Sequence, residues 1–268
     1  MTILQSVLLG LVEGVTEFIP VSSTGHMLVA QRVLGIQAND STFAFLVLVQ
    51  LGPLLALLAY FRKDLWSLLV AVVARPFSTP QNRLAWQVVL ASVPALLAGV
   101  LLKDVVQALF QSPLAEAAIR FFTAAVLLML AEGFGRRTRG LDSLSMLDAL
   151  VIGLFQVMAV FPGASRSGSA ISGAMLRGLD RAASTRFAFL LSAPLMLAAG
   201  GYESISLLRH GSLVAPVLAS LVVGMAVASV VGWFSIRWLI RYVSRHSLRG
   251  FAAYCALIGA ACLAWLWF

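Results

Sequence analysis

Two acidic residues stand close together in an apolar segment near the N-terminus. Glu13 and Glu17 are four residues apart, a spacing that puts both carboxylates on one helix face just before Pro20 ends the helix. A charged side chain in the bilayer costs about 2.5–3.5 kcal/mol, so the pair needs a cation, a proton or water. Carboxylate oxygens suit Mg²⁺ or Ca²⁺, and the pair therefore predicts a divalent metal site for one of these ions.

Three hydroxyl residues and a histidine follow Pro20. Ser22, Ser23 and Thr24 are suited to begin a second helix, whose free N–H groups and dipole favour an anion. His26 comes three residues after Ser23, so we expect its imidazole to lie beside the Ser23 hydroxyl. This arrangement makes Ser23 a candidate nucleophile and His26 a candidate acid–base residue.

A second polar interruption, VFPGASRSGS at residues 160–169, contributes Ser165, Arg166 and Ser167. A guanidinium group holds phosphate oxygens through two parallel hydrogen bonds, so Arg166 is a candidate phosphate-binding residue. Metal ligands, helix N-termini, an arginine, a hydroxyl and an imidazole are together typical of phosphoryl transfer. In that chemistry, positioning and charge neutralisation supply most of the catalysis.

The composition indicates an integral membrane protein. Hydrophobic residues make up 60% of the chain, charged residues 11%, and the mean hydropathy is +0.95. Apolar runs of about 20 residues cross a bilayer as helices. Six spans are predicted near residues 43–61, 84–102, 118–132, 187–208, 213–236 and 250–268. The net charge is +8, but the sequence has no basic segment interleaved with aromatic residues. Nucleic acid is therefore not an expected partner.

Residues 1–34 and 146–178 are also apolar, but each is broken near its middle by one of the two polar interruptions. Each flanking half is shorter than a full crossing, and lipid cannot satisfy the backbone at the break. Two re-entrant helical hairpins, buried in protein, solve both problems. A pair of kinked full spans is the alternative that the sequence leaves open.

The two halves of the chain resemble each other. The segment from Glu13 to Gly25 has the same length as the segment from Gln156 to Gly168, which begins 143 residues later. A span that starts with Phe-Ala-Phe follows in both halves. We therefore predict an all-α polytopic protein with a single membrane domain, 1–268, built from repeat one (about 1–135) and repeat two (about 136–268).

The distribution of basic residues predicts how the chain crosses the membrane. If each hairpin returns to its own side, fourteen of the Lys and Arg residues collect on one side, with Arg166 in the second hairpin. Four lie opposite: Arg32, Lys103, Arg120 and Arg209. The richer side is expected to be cytoplasmic, which puts both termini outside and inverts the two repeats.

At this point two motifs resemble a known family. EGVTEFIPVSSTGH and PGASRSGS are similar to the signatures of the undecaprenyl-diphosphatases of the bacitracin-resistance type, and the resemblance covers essentially the whole chain. It implies hydrolysis of undecaprenyl diphosphate to the monophosphate at the outer face of the bacterial cytoplasmic membrane. That reaction recycles the lipid carrier of cell-wall synthesis and confers bacitracin resistance.

The resemblance also implies residue roles. Glu13 and Glu17 match the acidic metal-associated pair, Ser23 the proposed nucleophile, His26 the histidine and Arg166 the phosphate-binding arginine. Supporting substrate-binding hydroxyls are expected at Ser22, Thr24, Ser165 and Ser167. The expected partners are a polyprenyl diphosphate and membrane lipid, and homo-oligomer formation is left open.

Some alternatives and minor expectations remain. The inverted repeats also suit a lipid or solute transporter, and fold alone does not decide between the two functions. His26 or a metal-bound water, in place of Ser23, is an alternative attacking group. Cys255 and Cys262 are expected to pack within the last span, without a disulfide or a metal. Roles in topology or solvation only are expected for Glu132, Glu203, His210 and His246.

Overall fold

The computed structural model describes residues 1–37, 39–73, 79–102, 112–159, 164–209 and 215–267. In the described residues every regular element is a helix and there is no β-strand, which confirms the all-α prediction. The helices are α1 Ile3–Thr16, α2 Ser23–Val33, α3 Asp40–Leu48, α4 Leu51–Tyr60, α5 Arg62–Val73, α6 Pro80–Leu101, α7 Pro113–Phe134, α8 Met146–Val157, α9 Arg166–Leu176, α10 Arg181–Arg209, α11 Ala215–Val243 and α12 Arg249–Trp267. One 3₁₀ turn, Leu141–Ser143, precedes α8.

Six stretches of the described chain are long and apolar enough to cross a membrane. They are Ser41–Tyr60, Pro80–Leu101, Pro113–Phe134, Arg181–Tyr202, Leu218–Val243 and Arg249–Leu266. These overlap the six predicted spans and confirm a polytopic membrane protein. Arg75, Lys103 and His210, and the side chain of Glu203, on which some of the sequence expectations rest, lie outside the described residues.

The two broken apolar stretches are helical hairpins. α1 has 14 residues and α8 has 12, so they extend about 21 Å and 18 Å, short of the roughly 30 Å of hydrocarbon. In hairpin one, α1 and α2, the Gln5 side chain donates to the carbonyl of Leu34 and joins the two open ends. In hairpin two, α8 and α9, Arg177 Nε donates to Asp148 Oδ1 in the same way.

Small residues allow α1 to pack closely along α11. A Cβ atom on Gly10 would lie 2.5 Å from the Gly224 oxygen, and one on Gly14 would lie 2.8 Å from the Ala228 oxygen. Such close contacts between small residues are common where membrane helices associate. In these contacts Gly10 meets Gly224 and Gly14 meets Ala228, so the two helices run in the same direction and α1 is parallel to α11. The open end of hairpin one therefore lies near the N-terminal end of α11.

A buried carboxylate joins several segments of the chain near the C-terminal end of α11. Glu132, at the end of α7, is 1% exposed and accepts hydrogen bonds from Arg181, Arg137 and the Leu248 backbone N–H. The expectation that Glu132 serves only topology or solvation is therefore wrong. A carboxylate this buried needs partners for its oxygens, and distant parts of the chain supply them.

Hairpin two opens toward this same end. Asp148, near the start of α8, accepts from Arg139 and Arg177 at 2.7 Å each. The Asp180 N–H donates to the Arg139 carbonyl, directly before the Arg181 that binds Glu132. The two hairpins therefore open toward opposite ends of α11. The division into repeats and the side of the membrane on which each end lies stay predictions.

The apolar core surrounds hairpin two. α9 and α10 pack among α4, α6 and the end of α7, with Phe187 and Phe189 fully buried. Cys255 and Cys262 are buried free thiols on α12, where they pack against α7 as predicted. The packing around α9 fixes the position of its N-terminus, which carries Arg166.

Candidate active site

The tips of the two hairpins meet at Glu17. This residue caps the C-terminus of α1 and is 7% exposed. Its Oε2 accepts from Ser23 Oγ at 2.5 Å, and its Oε1 accepts from Arg166 Nη2 at 2.7 Å. Ser23 is the first residue of α2, and Arg166 is the first residue of α9. Two helix N-termini therefore converge on one carboxylate, and both favour an anion nearby.

Serine hydroxyls cap both of these helices. Ser22 Oγ accepts from the Gly25 N–H at 3.4 Å, and Ser165 Oγ accepts from the Gly168 N–H at 3.2 Å. Ser167 Oγ lies 3.1 Å from Ser165 Oγ and donates to the Glu17 carbonyl at 3.4 Å. The hydroxyls thus hold the first turns of α2 and α9 and join hairpin two to the tip of hairpin one.

A cavity of about 610 Å³ lies at these tips, within the range of small-molecule sites. Its wall includes six predicted site residues: Glu17, Ser22, Ser23, Thr24, Ser165 and Arg166. Residues of α6 and α10 form an apolar wall. They are Ala95, Leu96, Gly99, Val100, Leu195, Ala198 and Ala199. The cavity therefore combines a charged floor with an apolar wall, as a lipid with a charged head group requires.

Among the described residues, His26 makes no hydrogen bond to Ser23. Its Nδ1 lies 2.8 Å from the Ser22 carbonyl oxygen, and its Nε2 lies 2.8 Å from the Tyr254 hydroxyl. A carbonyl oxygen only accepts hydrogen bonds, so Nδ1 carries the proton, and in the neutral ring Nε2 accepts from Tyr254. The expectation that His26 pairs with Ser23 is therefore wrong. The imidazole bonds back to its own first helical turn, and Glu17 holds the Ser23 hydroxyl.

Glu13 is the second carboxylate of hairpin one. It is 1% exposed, and its Oε1 has no hydrogen-bond partner among the described residues. The described chain contains no group of three or more His, Cys, Asp and Glu side chains placed to hold a metal ion. Two carboxylates and nearby hydroxyls nevertheless fit Mg²⁺ or Ca²⁺, which complete their coordination with water and phosphate oxygens. A cation at Glu13 and Glu17 stays a prediction.

Four polar residues in the cavity wall were not predicted: Gln50, Arg120, Gln156 and Tyr202. Gln50 Oε1 accepts from Arg166 Nη2 at 3.4 Å, and Arg120 pairs with Glu116 at 2.7 Å. The signal for three of them was present, because Gln50, Arg120 and Gln156 each interrupt an apolar run. Polar residues inside membrane helices are costly, so those that line a cavity are candidates for a functional site.

Comparison with known families identifies the family of the chain. A sequence profile of the family described as "Bacitracin resistance protein BacA" matches residues 6–261. The chain belongs to this family. The BacA resemblance predicted from the two motifs is thereby confirmed.

Other proteins that match this BacA-family chain are named undecaprenyl-diphosphatases. The protein from Corynebacterium striatum is 38% identical over 270 residues, which cover 99% of this chain and 95% of its own length. The protein from Anaeromyxobacter dehalogenans is 39% identical over 267 residues, covering 97% and 90%. The protein from Rubrobacter xylanophilus is 40% identical over 257 residues, covering 94% of each chain.

Proposed function

We propose that this protein hydrolyses undecaprenyl diphosphate to undecaprenyl phosphate and phosphate. The full-length relatives carry the name of this enzyme, so the transporter alternative is not favoured. The observation that carries the proposal is the contact of Ser23 and Arg166 with Glu17, between two helix N-termini. The reaction recycles the lipid carrier of cell-wall synthesis and underlies bacitracin resistance.

Arg166 binds the diphosphate. One of its Nη atoms donates to Glu17, and a guanidinium has five N–H donors, so others remain for phosphate oxygens. The N-termini of α2 and α9 add partial positive charge at the same place. Ser22, Ser165 and Ser167 hold these helix starts. Ser22, Thr24 and Ser165 line the cavity and offer further hydroxyl donors to the substrate, and Ser167 supports the site from behind.

Ser23 is the nucleophile that the geometry favours. Its proton passes to Glu17 Oε2 while its oxygen forms a bond to the terminal phosphorus. The bond from that phosphorus to the bridging oxygen breaks, and undecaprenyl phosphate leaves. Water then cleaves the phosphoserine, releasing phosphate and restoring the hydroxyl.

Water and His26 are two alternatives to Ser23 as the attacking group. Water attacks phosphorus directly if Ser23 only orients the phosphate. His26 is the less favoured nucleophile, because both of its ring nitrogens are engaged by Ser22 and Tyr254. His26 instead holds the first turn of α2 against α12 through Ser22 and Tyr254, and so positions the helix start that carries Ser23.

Glu13 and Glu17 would hold a divalent cation. Such a cation, Mg²⁺ or Ca²⁺, neutralises phosphate charge when bound and so lowers the barrier to attack. The unpartnered Oε1 of Glu13 supports this assignment, because a buried carboxylate oxygen needs a cation or a proton. Glu17 then serves both the cation and the Ser23 hydroxyl.

The protein acts in the bacterial cytoplasmic (inner) membrane as a multi-pass protein. The cavity faces the periplasm or the exterior, since the basic residues concentrate at the opposite ends of the spans. This orientation suits a substrate that is released at the outer leaflet during cell-wall synthesis.

Phosphate release by the purified protein tests the proposal. In detergent, with no membrane gradient, we expect one phosphate per C55 prenyl diphosphate, loss of release after chelation, and recovery when Mg²⁺ or Ca²⁺ is restored. Phosphate release that continues after chelation would contradict the role of the metal. No phosphate release under any of these conditions would contradict the phosphatase activity.

Rapid quench with substrate labelled at the terminal phosphate identifies the attacking group. Attack by Ser23 predicts an acid-stable phosphoenzyme. An acid-labile phosphoenzyme would assign the attack to His26, and the absence of both species would assign it to water.

A further inference from the structure

Gln156 has an unusual environment. It lies one residue before the end of α8, is 1% exposed, and lines the cavity that Ser23 and Arg166 also line. Neither its amide nitrogen nor its amide oxygen has a hydrogen-bond partner in the described part of the chain. A fully buried amide that lies beside the active site therefore has both of its polar atoms unpaired.

Leaving such groups unpaired is costly. A buried donor or acceptor without a partner costs about 1–3 kcal/mol, and most buried side-chain polar atoms in proteins are paired. A second buried glutamine shows the ordinary arrangement. Gln87 on α6 is 5% exposed, and its Nε2 donates to the Leu144 carbonyl at 2.6 Å. Gln87 holds the structure together, whereas Gln156 has no such role in the described residues.

The position of Gln156 matches that of Glu13. The two residues are 143 apart, the offset that relates the two hairpins, and Glu13 Oε1 also lacks a partner in the part of the chain that the structure describes. At this matched position, each hairpin thus carries a buried side chain with an unpaired polar atom, and in hairpin two the Ser169 and Ser172 hydroxyls are also unpaired among the described residues. In hairpin one the side chain at the matched position is a carboxylate, which takes a cation. In hairpin two it is an amide, whose N–H₂ group donates to an anion.

We propose that Gln156 is a substrate-binding residue whose Nε2 donates to a phosphate oxygen of the diphosphate. Its Oε1 accepts from water that accompanies the head group. Arg166, ten residues further along hairpin two, supplies charge to the same anion, and Gln156 supplies a neutral, directional hydrogen bond. This inference rests on the proposed function, because it takes the diphosphate as the ligand of the cavity.

The test compares Gln156→Leu with Gln87→Leu in the full-length detergent-solubilised protein. Two quantities are measured: the thermal unfolding midpoint without ligand, and the Kd of a prenyl methylenediphosphonate, whose P–C–P bridge resists hydrolysis, in the presence of Mg²⁺. For Gln156→Leu we expect at least tenfold weaker binding and a midpoint equal to or above that of the wild type. For Gln87→Leu we expect a lower midpoint and an unchanged Kd.

The combination of outcomes separates a binding role from a structural one. A lower midpoint in Gln156→Leu overturns the proposal whatever the Kd, because the amide then has a partner within the protein. An unchanged Kd overturns it as well, and so does a wild type that does not bind the diphosphonate. If the wild type binds the diphosphonate but releases no phosphate from C55 prenyl diphosphate, the proposed hydrolysis fails while the assignment of Gln156 stands.

Discussion

Hairpins one and two share a backbone plan but differ in chemistry. α2 and α9 each have 11 residues and begin 143 residues apart, and a serine caps each helix by binding a glycine N–H. Near its tip, hairpin one carries the carboxylates Glu13 and Glu17, whereas hairpin two carries Arg166 and the Gln156 amide there. The similar backbones place two helix N-termini together, and the different side chains make the tip of hairpin one anionic and the tip of hairpin two cationic. Neither tip is a complete site.

The two tips also differ in backbone strain. Ser22 has φ 68° and ψ 90°, a left-handed conformation that side chains other than glycine rarely adopt, whereas Ser165 has φ −67°. Hairpin one must turn within the short segment that follows Pro20, and it stores strain next to the Ser23 hydroxyl. The hairpin that carries the proposed nucleophile, Ser23, is therefore the strained one.

The largest expected effect comes from removing the charge of the cationic tip. Arg166→Ala should lower kcat/KM by at least about 100-fold, the loss typical of removing one main electrostatic contact to a transition state. Arg166→Lys should also be impaired, because it keeps the charge but loses the fork that holds two phosphate oxygens. Phosphate release in detergent measures both variants.

Arg32→Ala is the matched control for Arg166. Arg32 is an exposed arginine in the last turn of α2, outside the cavity wall, and its loss should leave kcat/KM within about twofold of the wild type. Equal losses in Arg32→Ala and Arg166→Ala would mean that net charge, not the contact at the tips, governs the rate.

The next effect comes from neutralising the anionic tip. Glu17→Gln removes the acceptor of the Ser23 proton and the partner of Arg166, so we expect kcat to fall about 100-fold. Glu13→Ala should lower turnover and raise the Mg²⁺ concentration needed for half-maximal rate. An unchanged metal response in both variants would remove the carboxylates from the cation site.

The base of hairpin two should behave differently from its tip. Asp148→Asn removes a buried charge bound by two arginines and should lower the free energy of unfolding by about 3 kcal/mol while leaving the KM of the folded protein unchanged. Thermal unfolding in detergent and phosphate release give the two values. If Asp148→Asn changed KM without lowering the stability, Asp148 would act on the site and the expected structural role would be contradicted.

The contribution of Asp148 also depends on pH. Burial alone raises the pKa of this carboxyl, but hydrogen bonds from Arg139, Ser145 and Arg177 hold it well below its ordinary value of 3.8. A lowered pKa in the folded state means that the stabilisation is complete above the ordinary value and is lost as the pH falls below it. The difference in unfolding midpoint between the wild type and Asp148→Asn should therefore shrink below about pH 4.

The smallest effect concerns the two caps, whose replacement by glycine should lower stability at Ser165 but not at Ser22. Ser165→Gly loses a cap at an ordinary φ and should destabilise by a few tenths of a kcal/mol or more. Ser22→Gly loses the same kind of cap but relieves a left-handed conformation, so its unfolding midpoint should be equal or higher. A lower midpoint for Ser22→Gly than for Ser165→Gly would contradict the difference in strain.

Much of the architecture could be predicted from the sequence. Apolar run length predicts the six spans, and short apolar halves around polar breaks predict the hairpins. The internal offset also predicts that Ser23 and Arg166 occupy equivalent positions. These features follow from local composition and periodicity, which a single sequence displays.

The pairing of side chains could not be predicted in the same way. Helical spacing suggested that His26 serves Ser23, but the turn after Pro20 brings Glu17 to that hydroxyl instead. Glu132 looked like a solvated residue because its partners Arg181 and Leu248 are distant in sequence. Contacts between distant segments depend on how the helices pack, and local spacing carries no information about that.

The central claim is that the two hairpin tips form one phosphatase site only together. The most direct measurement is phosphate release from C55 prenyl diphosphate by purified wild type, Glu17→Gln, Arg166→Ala and the double variant. The account predicts release by the wild type and a double variant that is no slower than the slower single variant, because the two residues act as a unit across the hairpins. Losses that multiply in the double variant, or near wild-type release by either single variant, would contradict it.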